Sequence, residues 1–196
     1  MNDKSILYGA GGLIVGLVAG SMFAPQLMGD GMMRGGMSGG GASHVDSRFI
    51  EMMIPHHEGA IAMAERALER SKRPEIQSLA QGVIDAQTHE NEQMRQWYEE
   101  WYGGAPAEAG MQMMGHGMHM EGMEGDLEKL TTAPNFDIEF IDQMVVHHEM
   151  AIMMAQMLAS GTERTEMKQL ADQIITSQSR EIDMMRSWRE AWTAAN

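Results

Sequence analysis

The sequence predicts an all-α protein: a four-helix bundle made from two duplicated helical hairpins, preceded by a membrane-spanning helix. Three observations carry the bundle. Apolar residues recur at spacings of three and four through residues 45–102 and again through 134–196. These stretches repeat one another without a gap: Phe49-Ile50 matches Phe140-Ile141, His56-His57-Glu58 matches His147-His148-Glu149, and Met94-Arg95 with Trp97 matches Met185-Arg186 with Trp188. Each stretch is also broken once near its middle, at Ser71-Lys72-Arg73-Pro74 and at Ser160-Gly161-Thr162. One hairpin cannot bury its own apolar faces, so the two must pack into one bundle.

In chain order, residues 1–24 read as an N-terminal transmembrane anchor or signal segment. No charge interrupts Ile6–Ala24, and a helix of that length reaches roughly 29 Å, close to the hydrocarbon thickness of a bilayer. Lys4 precedes the run and no basic residue follows until Arg34. Positive charge stays inside, so the bundle is expected outside the cytoplasm, periplasmic or at the cell surface. The alternative is a secreted protein, cleaved near Ala19-Gly20-Ser21. Gly12, Gly16 and Gly20 form a ridge of small residues suited to a homodimer contact. Residues 25–44 carry Met28, Met32, Met33 and Met37 among glycines. Each glycine costs a helix about 1 kcal/mol relative to alanine, so this stretch reads as a flexible tether.

The first hairpin, 45–102, has one stripe through Ile50, Met53, His57, Ile61, Ala64 and Leu68. Its second stripe runs Ile76, Ala80, Val83, Gln87, Glu90, Met94, Trp97 and Trp101, opened by Pro74 in a first-turn position. In the second hairpin, 134–196, Asp137 suits an N-cap, Gly161 a helix end and Thr162 a fresh N-cap. The connection, 103–133, is broken by glycines and reads as mobile.

Composition excludes several functions. A net charge of −14, from 14 Lys+Arg against 28 Asp+Glu, gives no gain from phosphate neutralisation and removes nucleic acid as a partner. With no cysteine there is no disulfide framework and no thiolate chemistry. No glutamate is followed three residues later by histidine, as a di-iron bundle requires. Ile61 and Ile152 stand four after His57 and His148, where a zincin needs its second histidine. No phosphate loop or nucleophile elbow occurs, so no enzyme is expected.

What remains is soft-metal chemistry. The chain holds 24 methionines and 8 histidines. Thioethers favour Cu(I) and, by the same softness, Ag(I), while imidazole accepts Cu(I) or Cu(II). Met111, Met113, Met114, His116, Met118, His119, Met120 and Met123 crowd a glycine-broken connection that has no core to fill, which points to metal capture. On the helices, His56, His57, His147 and His148 each have thioethers on their own face. Met53 and Met144 stand four before His57 and His148; Met63 and Met154 stand seven after His56 and His147. Opposite them, Gln87, Glu90, Gln178 and Glu181 interrupt apolar stripes and need buried partners. Two readings of these histidines stay open: metal ligands, or a histidine–glutamate network that fixes helix register.

At His56-His57-Glu58, Ala60-Ile61 and Met63-Ala64, and again at His147-His148-Glu149, Ala151-Ile152 and Met154-Ala155, the chain resembles the domain of unknown function 305 family. Within it, the likeness is to the CopM-type periplasmic copper-binding proteins. The resemblance spans about residues 45–194. It implies a ferritin-like helical bundle, export, and copper binding through His56, His57, His147 and His148 with Met63 and Met154 nearby. Arg73 departs from expectation, standing where a capping Asp or Asn would precede Pro74. The expected function is extracytoplasmic copper binding, sequestering or relaying the ion to a delivery partner that the sequence does not identify. The alternatives are an interaction module on a membrane-anchored bundle and, behind it, a metal-dependent redox enzyme.

Overall fold

A computed structural model describes residues 40–107 and 125–194. Four long helices and one short one follow in order: α1 (Gly40–Arg70), α2 (Pro74–Tyr102), α3 (Leu127–Thr132), α4 (Phe136–Gly161) and α5 (Thr165–Ala194). α1 pairs with α2 and α4 with α5 as hairpins, and the hairpins meet chiefly through α1 and α4. α1 begins inside the stretch read as tether, and α3 lies inside the stretch read as connection. Among the described residues no helix is long and apolar enough to cross a membrane. Ile6–Ala24, the Gly12/Gly16/Gly20 ridge and most of the tether lie outside the described residues.

Two apolar clusters fill the bundle. One holds Met63, Ala64 and Ala67 of α1, Ile76 and Leu79 of α2, Phe140, Ile141 and Met144 of α4, and Met185 of α5. The other holds Phe49, Ile50 and Met53 of α1, Met94 of α2, Met154 and Leu158 of α4, and Met167 and Leu170 of α5. The C-terminal half of α1 thus packs with the N-terminal half of α4, and the reverse, so the two helices run antiparallel. Duplication of sequence has become a pseudo-twofold arrangement in space.

The helix ends refine the local reading. Asn135, rather than Asp137, caps α4 by accepting from the Ile138 N–H. Thr162 closes α4, and its hydroxyl accepts from the Arg164 N–H, as Ser71 does for Arg73. α5 therefore starts later, at Thr165. Arg73 precedes α2 without a side-chain cap because its guanidinium is used elsewhere. It pairs with Asp137 at 3.1 Å and lies 3.9 Å over the Trp192 ring. The copy does the same: Arg164 pairs with Asp46 at 3.3 Å and lies 3.9 Å over Trp101. Each hairpin loop thereby clamps the start and end of the other hairpin. Truncating Arg73 to Ala removes a partly shielded ion pair and a cation–π contact together and is expected to cost about 1–2 kcal/mol. Urea denaturation of Arg73→Ala, Asp137→Ala and the double variant checks this; the double variant should lose less than the sum, and strict additivity would contradict the clamp.

Candidate metal centre

Adjacent residues on a helix point about 100° apart, and that divergence builds the centre. From α1, His56 turns toward α4 and His57 toward α2; from α4, His147 turns toward α1 and His148 toward α5. The His56 and His147 rings face one another with centroids 3.7 Å apart and a 41° tilt. His57 Nε2 is 2.7 Å from Glu90 Oε2, and His148 Nε2 is 2.6 Å from Glu181 Oε2. All four histidines are buried. They form a polar layer at the middle of α1 and α4, with one apolar cluster on either side.

Buried Gln87 and Gln178 join Glu90 and Glu181 along a narrow cleft between α2 and α5, part of it open to solvent. Val83, Ala86 and Ser177 complete its walls. Glu58 and Glu149, the third members of the repeated triplets, face outward and pair with Arg95 and Arg186.

The layer's electrostatics suit ligands rather than acids. Burial, and then the charges His147, His57 and His148 would carry, hold the His56 imidazole well below its ordinary range, so it stays neutral. Neither ring nitrogen of His56 has a hydrogen-bond partner. His57 and His148 each bond a glutamate through Nε2, and Nδ1 of both lacks a partner. A carboxylate on one ring nitrogen with the other left bare is the arrangement that orients a metal-binding histidine. Among the described residues no group of three or more His, Asp or Glu side chains is placed to hold an ion. Imidazole nitrogens with methionines in the adjoining clusters form a donor set that suits a soft ion better than a hard one that needs many oxygens.

Thioethers flank the layer on both sides. Met53 and Met154 lie in one apolar cluster, Met63 and Met144 in the other, all buried. Met63 is further pinned by the backbone of Gly125, whose φ of +67° places a would-be Cβ against the Met63 sulfur. Met111, Met113, Met114, His116, Met118, His119, Met120 and Met123 lie outside the described residues. The sequence reading gave no role to Asn91, a buried amide 3.4 Å from the Ile54 carbonyl, because its repeat counterpart is Ile182.

Residues 46–189 match the family described as Domain of unknown function (DUF305). The chain belongs to this family. Among solved structures it is similar to CopM in the Cu(II)-bound form, at 48% identity and a TM-score of 0.68, over 75% of this chain and 97% of that one. CopM has also been solved in Cu(I)-bound and Ag-bound forms, each 45% identical with a TM-score of 0.65. A DUF305 fragment from Deinococcus radiodurans is 28% identical, with a TM-score of 0.63 over 76% of this chain and 98% of that one. Uncharacterized protein L153 of Acanthamoeba polyphaga mimivirus is 41% identical over 55 residues, which is 28% of this chain and 36% of that relative.

Two outcomes follow for this DUF305 layer. His56 has an ordinary value of 6.5 when unfolded and a strongly lowered one when folded. Its contribution is thus complete above pH 6.5 and is lost as pH falls below it, because the unfolded chain then takes up a proton that the folded chain refuses. The slope is about 1.4 kcal/mol per pH unit. Urea midpoints from neutral pH down to about pH 5.5 should fall more steeply for the native chain than for His56→Leu; parallel curves would contradict this account. Separately, Gly125→Ala combines a left-handed backbone with a clash at Met63 and should cost at least about 1 kcal/mol in a thermal melt.

Proposed function

We propose that this chain is an extracytoplasmic copper-binding protein that sequesters or relays Cu(I) and Cu(II) through methionine and histidine side chains. The observation that carries it is the buried histidine layer. An unpaired buried polar group costs about 1–3 kcal/mol, and here several ring nitrogens lie without partners between two banks of thioethers. A soft cation would use those lone pairs. CopM, similar over most of this chain and solved with Cu(I), Cu(II) and Ag, supports the same reading.

Transfer needs only ligand exchange, and no enzymatic step is proposed. Met111–Met123, with His116 and His119, captures the ion; the histidine layer, flanked by Met53, Met63, Met144 and Met154, holds it. Silver is accepted on the same ligand grounds. Residues 1–24 anchor the chain in a membrane or direct its export with cleavage. A specific observation favours a further role for His57 and His148: their short bonds to Glu90 and Glu181 tie each hairpin's two helices into register, whether or not metal is bound.

Anaerobic Cu(I) titration of the full chain against a competing chelator tests the proposal. At least about one copper per chain is expected, and Glu90→Gln with Glu181→Gln should weaken it about 10- to 100-fold by freeing the ligand histidines to rotate. Substoichiometric binding by the native chain would overturn the function. Full binding after deletion of residues 111–123 would assign retention to the bundle.

A further inference from the structure

Among the described residues the exposed large hydrophobic side chains are Val146, Met153 and Met157, at 49%, 53% and 56% exposure, and all three lie on α4. Half-buried Met150 stands between them. Met150, Met153 and Met157 are spaced three and four apart, so they form one row on the helix surface, each a turn from the next. The bundle does not need this row. At the matching positions α1 carries Gly59, Ala62 and Arg66, although the rest of the repeat packs alike. Three thioethers have been placed where water meets them and where the duplicated helix keeps none.

We infer that Met150, Met153 and Met157 form a surface site for a soft monovalent cation, Cu(I) or Ag(I), and that this row is the entry to the buried layer. The inference rests on the copper reading above and adds the residues that receive the ion. Each thioether sits on an unbranched stem with three rotatable bonds, so neighbours one turn apart can close on a single ion. A sulfur donor is uncharged and needs no deprotonation, so the site can load at any pH the fold survives. The row also has a direction. Its inner end, Met150, is one turn from His147, which faces His56 at 3.7 Å. An ion passed from Met157 through Met153 to Met150 thereby moves from open solvent to the edge of the histidine pair.

The full chain labelled with ¹³C at the methionine methyls, titrated with silver nitrate in chloride-free buffer, tests the site. The Met150, Met153 and Met157 methyl resonances should move with the early additions. The triple variant Met150→Leu, Met153→Leu, Met157→Leu should bind about one Ag(I) fewer, its thermal midpoint held because leucine conserves the apolar bulk. Should that variant misfold, the native chain's spectrum alone decides. If those three resonances stay still while others shift, the surface site is wrong and the copper reading stands. If no methionine shifts and no Ag(I) or Cu(I) binds, both fall. Movement that follows protein concentration rather than Ag(I) would overturn the site in favour of contact with a second copy.

Discussion

Everything in this bundle hangs on the antiparallel crossing of α1 and α4, where one residue meets its own copy. Duplication alone would give two similar hairpins with two separate sets of contacts. Because the hairpins pack about a pseudo-twofold axis, the His56 and His147 rings meet at a tilt, while His57 and His148 turn away to Glu90 and Glu181. A single His-His-Glu triplet on one helix thus becomes a four-imidazole layer. That layer is unfavourable in itself, since lone pairs without partners are buried there. The apolar clusters above and below it, and the Arg–Asp–Trp clamps at both ends, hold the helices where this cost must be borne.

The places where the two halves differ are as informative as those where they agree. Helix-to-helix ties recur: Arg95 with Glu58 and Arg186 with Glu149 occupy matching positions. At another matched pair the chemistry is exchanged, Tyr98 donating to Glu51 where Arg189 pairs with Asp142. Either bond joins the same two turns, so the position matters and the residue type does not. Asn91 and Ile182 differ without that equivalence, as do Met63, covered by Gly125, and Met154, which has no such cover described. The methionine row of α4 belongs with these. Shared features describe how the hairpin packs; unshared ones mark where the two halves have diverged.

Much of this was legible in the sequence because helical periodicity and an ungapped repeat are local signals. The stripes through Ile50 and Ile76, the break at Pro74 and the burial of Gln87 and Gln178 all follow from spacing. Divergence of adjacent histidines by 100° also showed that His56 and His57 serve different neighbours. Which neighbour takes which histidine was not legible, since that depends on α1 and α4 running antiparallel, a tertiary fact with no local trace. The role of Arg73 was hidden for the same reason. The position before Pro74 lacks the capping Asp or Asn that local rules favour, because Arg73 serves Asp137 and Trp192, far along the chain. Asp137 was read as a cap and proved to be that arginine's counter-ion, with Asn135 taking the cap. Exposure of Met153 and Met157 was hidden too: three- and four-residue spacing looks the same whether a stripe faces the core or the solvent.

On the proposed function, the charge of the bound ion accounts for the two carboxylates set behind the histidines. A cation moved into an apolar interior loses hydration worth several kcal/mol even after the protein relaxes. Thioethers and neutral imidazoles supply lone pairs but no compensating charge. Glu90 and Glu181 would supply it from behind His57 and His148, along the α2–α5 cleft rather than inside the layer. A carboxylate in direct contact with the ion would favour harder metals; one set behind an imidazole adds negative potential and leaves the ligand soft. Protonation works against the same design. A proton on His56 removes its lone pair and puts a positive charge beside His147 and His57, so acid opposes both the fold and the cation through one group. The burial that keeps the His56 imidazole neutral is therefore also what would limit the pH range over which it could hold an ion.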